Sequence, residues 1–268
     1  MNLPGLLAAL LGLVAFGVSY HRTLPFRASK RALLLVLAVL ISIPGLSFPF
    51  YYTHLLPESA LYYQFRSLPG AELFLVPIGI AGGLAATFLP RFLLGFPLFG
   101  AVGAFTLPFL KPIFAPIRDE DFTHRSREGV VLQSTTSTCG PAATATLMRS
   151  VGIEVSEMEI ARAAHSSGSG TEAWYLARAA RARGARVEFA FFDPPGPGDR
   201  FPAMLGTFIG GTGLFIVILG EKDGIYSLAD PLRGLDEVTL ETLNHRYRFS
   251  GFRMLLHGPV SSPENREN

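Results

Sequence analysis

One cysteine stands in the whole chain, and it stands in chemically suggestive company. The stretch QSTTSTCGPAATATL runs from Gln133 to Leu147, with Cys139 at its centre. Thiolate, not thiol, attacks carbonyls, and a thiolate at a helix N-terminus is stabilised by free backbone N–H groups and the helix dipole. Hydroxyl residues precede Cys139, and Gly140-Pro141 leads into an Ala-rich, helix-forming run. Proline in the first turn of a helix costs no hydrogen bond, and Gly140 lets another backbone come close. Gln133, six residues upstream, carries a side-chain amide that can stabilise a developing oxyanion beside the Cys139 N–H. The same features suit a plain buried thiol at the start of a helix, so residue chemistry alone leaves both readings open.

The elements that must position this cysteine come in two kinds. Residues 1–117 carry seven basic and two acidic side chains, against totals of 23 and 21 in the 268-residue chain. The stretches 3–20, 32–50, 71–90 and 92–110 are apolar and near the roughly 20 residues that cross a bilayer. An all-α membrane domain of about four helices over 1–115 follows. The loop 21–31 holds four Lys/Arg and is therefore cytoplasmic, which puts 51–70 and everything after the fourth span on the extracytoplasmic side. Aromatics in 48–63 read as an interfacial belt, with 58–68 as a short helix on the membrane surface. The partners so far are the lipid bilayer or another membrane protein. A net charge of +2 gives no sign of nucleic-acid binding.

After a charged linker at 116–128 the pattern is that of an α+β domain over 129–260, with a disordered tail at 261–268. Ser137 or Thr138 caps a helix through 142–150 that Gly152 closes. Ser156 and Glu159 form a capping box, and Val155 and Ile160 its staple, for a helix over 157–165. A third helix covers 171–183. Alternation at 185–191, an apolar run at 214–219 and segments 225–229 and 252–257 read as strands. Asp223-Gly224 makes a hairpin turn between the middle two. A short helix falls at 239–244. Helices first and antiparallel strands after is an α+β layout.

VLQSTTSTCGPAATATLMRSVGIEVSEMEIARAA resembles the start of C39-family, papain-like cysteine peptidases, and GLFIVILGEKDGIYSLADPLRG continues the resemblance. The similarity implies a peptide or protein substrate and no cofactor or metal. It makes Cys139 the nucleophile, Gln133 the oxyanion-hole residue and Asp230 the acid that orients a histidine. That histidine normally follows a glycine at the start of the strand before the Asp-Pro hairpin. Here Gly213 is followed by Leu214, which cannot move a proton. The resemblance thus points to a membrane-anchored cysteine peptidase, or to a pseudopeptidase that binds peptides or a partner without cutting.

Overall fold

The computed structural model describes residues 2–52, 55–192 and 194–258; the expected disordered tail at 261–268 lies outside the described residues. Two compact units emerge: Met1–Glu58 with Pro69–Phe114, and Ser59–Leu68 with Ala115–Asn268.

The first unit is helical. It contains α1 (Leu3–Thr23) and α2 (Ala28–Tyr52), with α3 (Ala60–Arg66) falling in the other unit, then α4 (Leu75–Ala86) and α5 (Gly95–Phe114). Asn2 caps α1, its side chain accepting the Gly5 N–H at 3.0 Å. The α1–α4 seam is built from small residues. A Cβ on Gly79 would lie 1.9 Å from the Gly12 carbonyl oxygen, and one on Gly83 2.2 Å from the Phe16 oxygen. Such close backbone approach is how apolar helices associate without a hydrophobic driving force. Among the described residues, α1 and α2 are long and apolar enough to cross a membrane, or three spans result if Ala60–Arg66 and Ala71–Ala86 count as one broken span. Of the four expected spans, the one at 71–90 is not a single continuous helix. There a four-residue 3-10 turn, Ala71–Phe74, precedes the 12 residues of α4, about 18 Å of helix against some 30 Å of hydrocarbon.

The second unit places helices before an antiparallel sheet. A small β1 (Ser126–Arg127) and β2 (Val130–Val131) hairpin leads to α6 (Cys139–Ser150), α7 (Glu157–Ala163) and α8 (Ala173–Arg181). The sheet follows with β3 (Arg186–Phe191), β4 (Ala203–Ile209), β5 (Thr212–Lys222), β6 (Ile225–Asp230), β7 (Gly234–Thr239), α9 (Leu240–Arg246) and β8 (Arg248–His257). Its strand order is β3-β8-β4-β5-β6-β7, every neighbouring pair antiparallel.

Local chemistry explains the elements. Every α6 residue from Gly140 to Met148 is buried, and its Ala, Gly and Thr side chains let it sit close against the sheet. Thr146 returns its hydroxyl to the Ala142 carbonyl and accepts the Val131 N–H at 2.9 Å, tying β2 to the helix. The helix closes with Ile153 N–H on the Met148 carbonyl over left-handed Gly152, a Schellman ending. The Ser156/Glu159 capping box on α7 forms as expected. Asp223 and Gly224 both have positive φ, at 53° and 79°, joining Lys222 and Ile225 in the expected hairpin.

Strands β4 and β7 were not expected from the sequence. The Gly210-Gly211 turn, φ 55° and 88°, pairs Ile209 with Thr212, so the apolar run at 214–219 belongs to a longer strand with its own hairpin partner. The position of α3 also differs from the expected membrane-surface helix. Tyr62 and Tyr63 are each 7% exposed, and the Tyr63 ring lies 5.3–5.5 Å from the rings of Trp174, Phe189, Phe191 and Phe252. Arg178 donates to the Arg66 and Leu68 carbonyls at 2.9 Å. Aromatic burial inside the domain outweighs an interfacial seat for these two tyrosines.

Candidate active site

Cys139 is the first residue of α6, with Thr138 as its N-cap. Thr138 is fully buried; its hydroxyl accepts the Thr135 N–H at 2.9 Å, which winds the loop before the cysteine into a tight turn. Ser134 is held harder still. Its N–H donates to one oxygen of the buried Glu157 carboxylate at 2.8 Å and its hydroxyl to the other at 2.5 Å. The loop that carries Gln133 is therefore fixed from both ends, because the Gln133 N–H also donates to the Pro231 carbonyl at 2.9 Å. That bond lays the Gln133 loop on the turn that follows Asp230.

The Gln133 side chain gives one Nε2 hydrogen to the Thr135 carbonyl at 2.7 Å. A primary amide has two such hydrogens, so this bond uses one of them. Gly140 is tightly enclosed: a Cβ there would meet Leu176 Cδ1 at 2.9 Å and the Phe215 ring at 3.3 Å, so both side chains would have to give way.

The sulfur sits between opposing influences. Burial pushes the Cys139 thiol above its ordinary value, and N–H groups of Phe215, Gly140 and Cys139 itself pull it down without prevailing. The negative charge of Asp230 adds to the rise. A net upward shift keeps the proton on sulfur at neutral pH.

Asp230 ends β6 and is 1% exposed. Its Oδ1 accepts the Leu232 N–H at 2.8 Å, and its Oδ2 accepts the Tyr247 hydroxyl at 2.7 Å. Leu214, 7% exposed, belongs to an apolar cluster with Ile216, Leu228, Leu243 and Tyr247, and Cys139 packs against that same cluster. The Phe215 N–H that faces the sulfur is the next group along the chain. Cys139, Gln133, Asp230 and Leu214 thus converge on one end of α6, from a loop, a helix start and two strands.

The peptidase C39 family model matches residues 127–258. The chain belongs to the peptidase C39 family. Two relatives are uncharacterized proteins of Methanothermobacter marburgensis and Methanothermobacter thermautotrophicus, 36% and 34% identical over 112 residues, spanning 40% of this chain and 74% of each relative. Among solved structures, the chain is similar to the peptidase domain of Streptococcus ComA, a bi-functional ABC transporter involved in quorum sensing. The identity is 19% with a TM-score of 0.43, covering 48% of this chain and 96% of that one. It is also similar to a double glycine motif protease from an AMS/PCAT transporter in complex with its leader peptide. There the identity is 21% and the TM-score 0.41, covering 50% and 94%.

The histidines are dispersed along the chain. His124 is exposed in the linker with a left-handed backbone. His165 packs its ring edge-on to Tyr175 at 5.3 Å. His245 is exposed in the last turn of α9, and His257 lies 3.9 Å from Glu188 at the end of β8. His21 ends α1, and His54 lies outside the described residues. Among the described residues, none of them is a group that shifts the Cys139 thiol. Tyr247, which sequence reasoning passed over, is what Asp230 holds. Its only sequence signal is an aromatic between two arginines, in a segment left between the expected helix at 239–244 and the expected strand at 252–257.

Proposed function

We propose that this protein is a membrane-anchored C39 family member whose papain-like domain engages peptide or protein segments at the Cys139 end of α6, without the thiolate–imidazole chemistry of a peptidase. One observation carries the reading: Leu214, which the resemblance sets at the family's histidine position, lies in the apolar cluster that Cys139 packs against, while Asp230 is bonded to Tyr247. A peptide nucleophile needs a base within hydrogen-bond reach and an acid to protonate the leaving amine. General acid–base help alone is worth about 10²–10⁴ in rate. The peptidase C39 match over residues 127–258 supports a peptide or protein segment as the ligand class.

The domain boundaries that go with this reading are 1–115 for the membrane part, 116–128 for the linker and 129–260 for the C39 domain. Location follows from connectivity. The loop between α1 and α2 lies in the Lys/Arg-rich stretch and belongs in the cytoplasm, so the single crossing of α2 brings residues 55–70 to the other face. Helix α3 shares a compact unit with the C39 domain, and both then lie on the extracytoplasmic side of a multi-pass protein. The segment 69–114 must cross twice or return to the face it left; two crossings give the four-span form.

A second reading, a slow cysteine peptidase using Cys139, Gln133 and Asp230, is favoured by the three N–H groups directed at the sulfur. Labelling by iodoacetamide separates the two. Cys139 is the only cysteine, so whole-protein labelling of the intact chain in detergent reads this thiol alone. We expect slow labelling at pH 7 that climbs steeply into the alkaline range. A fast rate that stays flat down to pH 6, with cleavage of a double-glycine peptide lost in Cys139→Ala, would establish the peptidase instead.

A further inference from the structure

Asp230 is a buried carboxylate with both oxygens already engaged, and the partner on Oδ2 comes from the end of α9. The strand register shows what surrounds it. Val217 pairs with Ala229 and Ile218 with Leu228, so one further step sets Asp230 opposite Ile216, and Leu214 is the next residue on that face of β5. Diagonal neighbours on one sheet face stand about 7–8 Å apart, within reach of aromatic and long side chains. Tyr247, 3% exposed, belongs to the same apolar cluster as Leu214 and Ile216.

We infer that Tyr247 is a positioning residue that locks the C39 site: its hydroxyl occupies the Asp230 oxygen that an imidazole at position 214 would use. The site is then closed to Cys–His chemistry at two places, Leu214 and Tyr247. The inference rests on the proposed silent site. An O–H donor on a carboxylate makes a short, charge-assisted bond, and 2.7 Å fits that class. The phenol keeps its proton, because burial first, then the hydrogen bond to Asp230 and its charge, push it above its ordinary range. Two cations face the pair. Arg233 stands 3.9 Å from Oδ2 with its side chain 59% exposed, and Arg246, bonded to Asp236 at 2.7 Å, also bears on the Tyr247 hydroxyl and opposes that rise without prevailing.

Reopening the site therefore takes two substitutions. In Leu214→His alone, the new imidazole meets an Asp230 oxygen that already holds a hydrogen bond. In Leu214→His with Tyr247→Phe, Nδ1–H can donate to Asp230 while Nε2 takes the Cys139 proton, giving a thiolate–imidazolium pair. We expect iodoacetamide labelling at pH 7 to be tenfold or more faster in the double variant than in Leu214→His. Equal rates in the two would overturn the inference. A histidine at 214 enters an apolar cluster, so a second measurement keeps Leu214 in place. Asp230→Asn, Tyr247→Phe and their combination are unfolded with urea in the full chain, followed by Trp174 emission. Non-additivity of at least fivefold in the unfolding constant is expected, and additive effects would overturn the lock. Fast labelling of the unaltered protein would sink the silent-site reading, while this cycle judges Tyr247 whichever way that falls.

Discussion

Tyr63→Ala tests whether α3 is part of the C39 unit or merely passes it. Beyond its neighbour Tyr62, the Tyr63 ring packs against four others: Trp174 at 5.4 Å, Phe189 at 5.5 Å, Phe191 at 5.4 Å and Phe252 at 5.3 Å. Truncating a buried aromatic to alanine costs about 3–5 kcal/mol in lost transfer energy and residual cavity. Each aromatic pair adds about 0.5–1.5 kcal/mol beyond area burial, which places this site towards the upper part of that range. Stabilities of single domains run to about 5–15 kcal/mol, so the loss is a large share of the whole. Trp174 is the only tryptophan and one of the four partners, so its emission reports this unit and no other. With a urea slope of about 2 kcal/mol/M, the midpoint should fall by about 1.5–2.5 M in the intact chain. Trp174 emission should also shift in the folded state, since its neighbour is gone. Tyr63→Phe keeps the ring and should keep most of the stability. A midpoint shift below about 0.5 M for the alanine variant would show that α3 is not held by this cluster, and the argument placing both on one membrane face would lose its footing.

Three further outcomes are expected. Gly140→Ala drives a Cβ to 2.9 Å from Leu176 Cδ1 and should destabilise the domain by about 1–3 kcal/mol, measured by the same urea titration; an unchanged midpoint would mean α6 is looser than described. Reporters placed after residue 55 and at the C-terminus should be accessible from the same, extracytoplasmic side, because α3 joins the C39 unit; opposite sides would refute the shared location. Ser156→Ala removes the α7 cap and should cost about 1 kcal/mol at pH 7. The hydrogen bonds from Ser156 hold the Glu159 carboxyl below its usual range. Its contribution is thus present above the unfolded value and lost as pH falls through the lower folded one. The gap between wild type and Ser156→Ala should therefore narrow below about pH 4, and a gap that persists there would count against the Glu159 contact.

Much of the fold was legible because local signals agreed with it. The Ser156/Glu159 box, the Asp223-Gly224 turn and the alternation at 185–191 each need only a few neighbouring residues to be read. What escaped depended on distant partners. β4 has Gly206 in its middle, a residue that weakens a strand pattern, and its place is set by pairing with β5 on one side and β8 on the other. β7 is GLDEVT, an edge strand whose polar residues give no apolar run. Tyr62 and Tyr63 looked interfacial because sequence composition cannot tell a membrane surface from an aromatic pocket that Trp174, Phe189, Phe191 and Phe252 build far along the chain. At the site, the sequence placed Cys139, Gln133 and Leu214 but could not show Tyr247. That residue reaches Asp230 only because α9 folds across the face of β5 and β6.

The sulfur of Cys139 shows why a helix start does not by itself make a nucleophile. Opposite charge at a helix terminus is worth about 0.3–1 kcal/mol in ordinary settings, less than one pKa unit at 1.36 kcal/mol each. Desolvation of a buried thiol moves it by more than that, in the other direction, and here burial is the largest influence. What tips such a thiol towards thiolate is a cation beside it. A histidine at 214 would supply one, and Asp230 would then act on the sulfur through that imidazolium. With Leu214 in place the cation is missing and the carboxylate is not, so Asp230 acts on the sulfur directly and raises its pKa. The acid that serves an active site works against thiolate formation in this one, and the Tyr247 hydroxyl gives it a different use.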